Sequence, residues 1–528
     1  MRRWLAASAL ALAIALGTAQ AAVLRWANSY DVRSLDPYAG QEVFLRSFDA
    51  NIYEPLVRRG RDLALEPALA ANWRQIAPDR WRFALRPRVL FHDGAPFTAD
   101  DVVFSFARAR APSSKIAGEL AAVKELRKID DRTVEIVTNG PDPLLLDQLS
   151  QWPIMNRAWC EAHEADAPAD LATREAGYAG DHADGTGPFM VEERVPNQRT
   201  VLVPNPHWWD KREDNLDRAV FTPIADPEAL VAGLESGALD MIYDVRLADI
   251  DRIAHRPGLK IVQGPGLTTI FLGFDQWRDQ LLESSVTGRN PFKDRRVREA
   301  FAAAIDEQAI IDKVMRGHAT PAGLLVAPGV AGYARALDVR EPFDPARSRR
   351  LLAEAGYADG FETGMDCPND RYVNDEAICQ EVVAMLAKIG VRVRLLAQNR
   401  ARFFAKIMPP SPPGMKTSFF LMGSTPASYD AETVLINLVA TRDRADHLGE
   451  LNVAGYSNPA LDALIGRIRL ETDAKARLAV LRQALGLAKD DYAYIPLHRQ
   501  DVVWAARANV SLAQRADNAF PLRYVRIK

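Results

Sequence analysis

Several residue classes that announce chemistry are scarce in this sequence. Cysteine is the first: 528 residues contain three, Cys160, Cys367 and Cys379. Three cannot all pair, and none stands with histidine at zinc spacing, which excludes a disulfide scaffold and a structural zinc module. In an oxidising compartment Cys367 and Cys379 could close a small loop, leaving Cys160 as a buried free thiol; the alternative is that all stay reduced. The eight histidines are scattered. H-E-x-x-H, G-x-S-x-G, S-x-x-K and a Walker-type phosphate loop are all missing, so no catalytic or metal motif is readable. Gly185-Thr186-Gly187 begins a G-x-G without its third glycine, and Pro188 removes a backbone donor that a phosphate would use. Charge of one sign is missing too: 66 Lys+Arg face 69 Asp+Glu, with no basic run. That leaves no electrostatic footprint for nucleic acid or an anionic membrane.

Long apolar runs are lacking beyond the N-terminus. There Arg2 and Arg3 precede an apolar run from Trp4 to Leu16, followed by Ala19-Gln20-Ala21. The run is too short to cross a hydrocarbon core, which needs about 20 apolar residues, and it has the form of a signal peptide over residues 1–21. Cleavage after Ala21 is expected to release a soluble chain outside the cytoplasm by the general secretory route. The cleavage region has no cysteine, so no lipid anchor is expected. Removing residues 1–21 takes two arginines and no acid, moving the net charge from -3 to -5.

What is present is a large globular chain. At 48% hydrophobic residues and this length, one core is expected to split into at least two lobes. The first half reads as short strands and turns: Val23–Ala27, Trp81–Leu85, and the Asp93-Gly94 turn. Thr98 with Asp101 has capping-box spacing before a helix carrying Val102, Phe104 and Phe106. In the second half Asp294, Asp306 and Asp344 stand where helix N-caps belong, and Gly317, Gly356 and Gly390 where helices end. A helix over Glu376–Lys388 is followed by an alternating strand, Val391–Leu396. Phe419–Met422 is a short apolar strand before a helix over Ala431–Val439. Helices between strands imply parallel crossovers and an α/β sheet.

In such sheets ligands bind beyond the carboxyl ends of strands. Two loops qualify. Pro368-Asn369-Asp370-Arg371-Tyr372 offers Arg371, a planar fork suited to a carboxylate or else a partner for Asp370 or Asp375. Gly423-Ser424-Thr425-Pro426-Ala427 offers backbone, with Gly423 permitting close approach. Asp430 reads as a helix N-cap or as an amine anchor. Tyr30, directly after the first strand, is a candidate contact. Trp208 and Trp209 read as a packing cluster.

Glu66-Pro67-Ala68-Leu69-Ala70 with Trp73, then the run from Phe91 to Val102, resembles the family 5 extracellular solute-binding proteins, the dipeptide, oligopeptide and nickel type receptors of ABC importers. The likeness continues through Gly185-Thr186-Gly187-Pro188-Phe189, Asn205-Pro206 with Trp208-Trp209, Pro291-Phe292-Lys293-Asp294, Ala304-Ile305-Asp306, Ala353-Glu354-Ala355-Gly356-Tyr357, Tyr456-Ser457-Asn458 and Ile495-Pro496-Leu497. The resemblance implies an α/β, two-lobed periplasmic binding protein fold of the large type. Two crossing hinge strands would join lobe I (22–267 plus 501–528, with an extra subdomain over 44–180) to lobe II (268–500). It further implies a monomeric receptor, not an enzyme, that needs no cofactor or metal. Such a receptor would hand a peptide or peptide-like solute to the transmembrane subunits of an ABC permease. Non-peptide solutes (glycoside, opine, haem or metal chelate) are the alternative, and a periplasmic hydrolase a more distant one. Peptide-binding members grip the ligand's amino terminus with a glycine, a tryptophan and, three residues on, an aspartate. Gly423 matches, but Ser424 and Ala427 replace the other two, leaving Asp430 or Asp275 as substitutes. Arg371 falls where dipeptide receptors carry a carboxylate-binding arginine.

Overall fold

A computed structural model describes residues 21–171, 177–243, 245–408, 415–426 and 428–528. Its centre is an eleven-stranded mixed sheet in which two long strands, Leu259–Phe274 and Ile495–Arg507, lie antiparallel side by side. On one flank stand Met241–Ile242, Val23–Asn28, Arg218–Pro223, Arg199–Pro204 and Phe189–Val195. On the other stand Phe419–Ser424, Glu362–Pro368 and Arg392–Gln398, and Ala319–Pro321 pairs with Ile495–Arg507 as the eleventh strand. The two long strands therefore cross from one half of the molecule to the other. Their register runs unbroken from Leu259 opposite Arg507 to Pro265 opposite Asp501. It then slips before resuming at Thr269 opposite Arg499. A slip of this kind bends and twists the strand that carries it.

The cores divide as the sheet does. On one side Trp26 packs with Phe48 and Phe221, and the chain's end returns there: Phe520 lies against Trp26 and Trp504, with ring centroids 6.2 and 5.4 Å apart. On the other, Phe274, Phe292, Phe301 and Phe419 form one cluster, and Phe271, Phe403, Phe420 and Tyr494 belong to another. Leu63, from the first half, joins the latter. A separate four-stranded antiparallel sheet holds Ala70–Ala77, Arg80–Leu85, Thr133–Thr138 and Val123–Asp130.

Local signals set many element ends. Thr98 and Asp101 form the reciprocal capping box of the helix Ala99–Ala109. Asp294, Asp306 and Asp344 each cap a helix with their carboxylates, and Gly317, Gly356 and Gly390 take positive φ. The strand Glu362–Pro368 runs parallel to Arg392–Gln398 through the helix Asp375–Ala387, as helical crossovers require. The last expected helix is split, an α-turn over Ala431–Val434 passing into a wider π-type turn over Leu435–Val439. The first half holds the short strands expected of it, among them Val23–Asn28 and Arg80–Leu85, together with helices such as Ala99–Ala109. Val23–Asn28 is a parallel strand, paired with Arg218–Pro223 far away in sequence, where no local pattern could reveal it. Cys367 and Cys379 form a disulfide and Cys160 is a buried free thiol, whose pKa burial pushes up to about 12. Among the described residues no helix is long and apolar enough to cross a membrane.

Candidate ligand cleft between the lobes

The slip in the crossing strands forms the floor of a cleft. Gly266, Leu267 and Thr268 of one strand, with Gln500, Asp501, Val502 and Val503 of the other, line a cavity of about 1140 Å³. Gly266 is needed for its close approach, because a Cβ there would lie 2.8 Å from the Gln500 carbonyl oxygen. One wall comes from the helix Val43–Asp49 and the chain to Arg59, joined by the C-terminal stretch from Arg515 to Arg523. The opposite wall is Val373, Asn374, Thr425, Pro426 and Tyr429.

The first wall is built by long-range hydrogen bonds. The Phe520 N–H donates to Ser47 Oγ at 2.7 Å and the Leu522 N–H to Asn51 Oδ1 at 2.8 Å. These bonds tie the chain's end to the helix Val43–Asp49. Asp49 and Tyr53 are buried there, four residues apart, and among the described residues the Asp49 Oδ1 and Tyr53 Oη atoms have no hydrogen-bond partner. Burial first, and then the nearby Asp36, holds the Asp49 carboxyl well above the usual carboxylate range. Glu54 accepts from Trp209 Nε1 at 2.7 Å, Trp208 Nε1 at 3.2 Å and Thr186 Oγ1 at 3.0 Å. Burial still raises its pKa, although Trp209, Arg58 and Trp208 pull the other way. The paired tryptophans thus position a cleft carboxyl besides packing together.

Tyr429 spans the walls. Its hydroxyl donates to Asp517 Oδ2 at 2.8 Å and its ring lies 4.2 Å from the Arg59 guanidinium carbon. Burial lowers the Arg59 pKa to about 10.

Of the residues singled out from sequence, Thr425 lines the cleft, with its Oγ1 2.7 Å from Thr268 Oγ1. The two candidate loops do meet, since Tyr372 Oη donates to the Gly423 carbonyl at 3.2 Å. A Cβ on Gly423 would lie 2.7 Å from the Tyr372 ring, so the space beside this glycine is filled by Tyr372 and not left for a ligand. Ser424 ends its strand opposite Thr269. Arg371 is exposed, its guanidinium carbon 5.0 Å from the Tyr372 ring, and it is not among the lining residues; its neighbours Val373 and Asn374 are. Asp430 lies away from the cleft surface. It caps its helix at Glu432 N, 2.8 Å, and holds buried Arg477 through two bonds of 2.5 and 3.1 Å. Asp275 is likewise buried and held by Arg278 at 2.6 Å. Both carboxylates are already satisfied by the chain's own cations, the state in which a buried carboxylate is stable. Tyr30 is 68% exposed and outside the cleft. Ala427 lies outside the described residues. The charged residues at positions 46–59 and 515–523 were not singled out, and no local motif marks them.

The architecture has counterparts among known proteins. The family model described as bacterial extracellular solute-binding proteins, family 5 middle, matches residues 64–446. The glutathione-binding protein GsiB of Salmonella typhimurium is 26% identical over 518 residues, covering 96% of this chain and 95% of that protein. Heme-binding protein A of Haemophilus influenzae is 27% identical over 460 residues, covering 82% and 78%. Among solved structures, the periplasmic murein tripeptide binding protein MppA in its unliganded open form is similar with a TM-score of 0.81 at 21% identity, covering 96% of this chain and 98% of that one. The chain belongs to the family 5 bacterial extracellular solute-binding proteins, and its role is that of a solute receptor for an ABC importer.

Proposed function

We propose that the chain captures a peptide or peptide-like solute in the cleft and delivers it to the transmembrane subunits of an ABC permease. The observation that carries this reading is the cavity itself: about 1140 Å³, floored by the slip in the two crossing strands and walled by both lobes. That volume suits a small peptide more than a single metal ion. The relatives named for glutathione and a murein tripeptide support a peptide-like ligand. Lobe I would comprise 22–267 and 501–528 with the extra subdomain 44–180, and lobe II 268–500, a division supported by the way the buried clusters part. Ligand shifts the lobes toward a closed state only through its tighter binding to that state. The slip is where the crossing strands can bend.

The chain acts by binding alone, as a monomer in the periplasm, released by cleavage after Ala21 and carrying no lipid. A non-peptide solute is the second reading, favoured by Ser424 and Ala427 standing where peptide receptors carry tryptophan and aspartate, and by the heme-binding relative. Calorimetric titration of the mature chain with glutathione, a murein tripeptide, the dipeptide Met-Leu and haem separates the two readings. Saturable one-to-one binding of a peptide supports the first, and binding of haem alone replaces it with the second. Recovery of chemically unchanged ligand after incubation supports the absence of turnover.

A further inference from the structure

Six arginines line the cleft: Arg46, Arg58, Arg59, Arg246, Arg515 and Arg523. Five are held by carboxylates of the same chain. Arg46 pairs with Glu119 and Arg59 with Asp147. Arg58 pairs with Asp210 at 2.6 Å, Arg246 with Asp249 at 2.6 Å and Arg515 with Asp517 at 2.5 Å. Arg523 is different. Among the described residues no carboxylate oxygen comes within 4.0 Å of its guanidinium. Its contacts are with its neighbour Tyr524: Nη2 donates to Tyr524 Oη at 2.7 Å, and the guanidinium carbon lies 4.6 Å from the ring.

A guanidinium presents its N–H donors in a planar fork that matches a carboxylate. One donor of Arg523 is engaged by Tyr524, and the rest of the fork has no acid. Burial, and then the like charge of Arg58, lowers its pKa, while Tyr524, Glu54 and Glu66 pull more weakly the other way. Burial raises the pKa of the Asp49, Glu54 and Asp501 carboxyls in the same cleft. Glu119 and Asp517 each hold an arginine of their own. The open fork of Arg523 therefore faces the cleft from the lobe I wall, at the short turn Leu522–Tyr524.

We infer that Arg523 is the anion seat of the cleft, taking a carboxylate of an acid-bearing solute. The assignment rests on the receptor reading above and adds the ligand's chemical class: a solute with at least one free carboxylate. It places carboxylate recognition on lobe I, opposite the wall whose loop carries Arg371.

The test uses the mature chain and two probes that differ in their carboxylates, glutathione and glutathione dimethyl ester, each titrated calorimetrically into wild type, Arg523→Gln and Arg523→Lys. Wild type is expected to prefer the acid; Arg523→Gln weakens the acid about 10- to 100-fold and leaves the ester within about twofold, while Arg523→Lys recovers part of the loss. Unchanged melting temperatures without ligand show that the variants are folded. If a variant does not fold, wild type decides alone, because equal affinity for acid and ester overturns the assignment. Equal acid affinity in wild type and Arg523→Gln overturns it also, and leaves the receptor reading standing. If wild type binds none of glutathione, its ester, Met-Leu, a murein tripeptide or haem, the proposed ligand class fails and the assignment with it.

Discussion

The disulfide between Cys367 and Cys379 should contribute measurable stability to the half of the molecule that carries one cleft wall. Cys367 lies near the end of the strand Glu362–Pro368 and Cys379 in the helix Asp375–Ala387, 12 residues apart. Between them runs the loop that brings Val373 and Asn374 to the cleft. Closing a ring of this size removes unfolded-chain entropy equivalent to about 3 kcal/mol at 25 °C. Both cysteines are fully buried, so replacing them with alanine also strips packed sulfur from the core, a further loss of about 1 kcal/mol. The loop keeps a second tie, because Asp375 Oδ2 accepts from the backbone N–H groups of Arg371 and Tyr372 at 3.0 Å each. Reduction should therefore weaken the wall without dissolving it. Urea unfolding, followed by circular dichroism on unliganded protein, compares the oxidised chain, the reduced chain and the Cys367→Ala/Cys379→Ala variant. The expected losses are about 3 kcal/mol for the reduced chain and about 4 for the variant. Coincident unfolding curves for oxidised and reduced protein would refute the reasoning.

Four further outcomes follow from buried charge and close packing. Asp430→Ala removes the helix cap and leaves Arg477 with Glu432 as its remaining acid, so a loss of about 3 kcal/mol is expected in chemical denaturation of unliganded protein. Asp184 is pushed up to about 6 by burial first, with Asp93 adding a smaller effect and Asn156 opposing. Its folded-state value exceeds the unfolded one of about 4, so the folded chain keeps a proton that the unfolded chain releases, and stability falls as pH rises through that window. Asp184→Asn should flatten this slope when urea midpoints are compared from about pH 4 to about pH 7. Gly266→Val forces the slip in the crossing strands apart at Gln500, lowering stability by about 1–3 kcal/mol and weakening every cleft ligand. Gly118→Ala, where a Cβ meets open space, should stay within about 0.5 kcal/mol when both glycine variants are unfolded in urea.

Much of the fold is readable because its punctuation is local. Thr98 with Asp101, and Asp294, Asp306 and Asp344, act within three residues of themselves, so their spacing alone reveals the helices they begin. The second half, whose parallel strands Glu362–Pro368 and Arg392–Gln398 are joined by one helix, is legible for the same reason. The parallel partner of Val23–Asn28 is almost two hundred residues away, and no periodicity reports such a pairing.

The site was legible only at its edge. Both loops singled out do approach one another, through Tyr372 and Gly423, and Thr425 reaches the cleft. The charged side chains expected to bind ligand stand elsewhere. Asp430 and Asp275 are held by Arg477 and Arg278, and Arg371 lies over Tyr372. A sequence cannot say which of two charged residues has found an internal partner. The opposite wall depends on contacts such as Phe520 with Ser47 and Leu522 with Asn51, more than 460 residues apart. Arg523 stands out only once the partners of the other five arginines are known.

The most direct test of the whole account is a calorimetric titration of the mature chain with acid-bearing solutes, glutathione first, at two salt concentrations. The account predicts saturable one-to-one binding that weakens as salt screens the charge of Arg523. Absence of binding by every acid-bearing solute, with saturable binding of a neutral or cationic one, would contradict it.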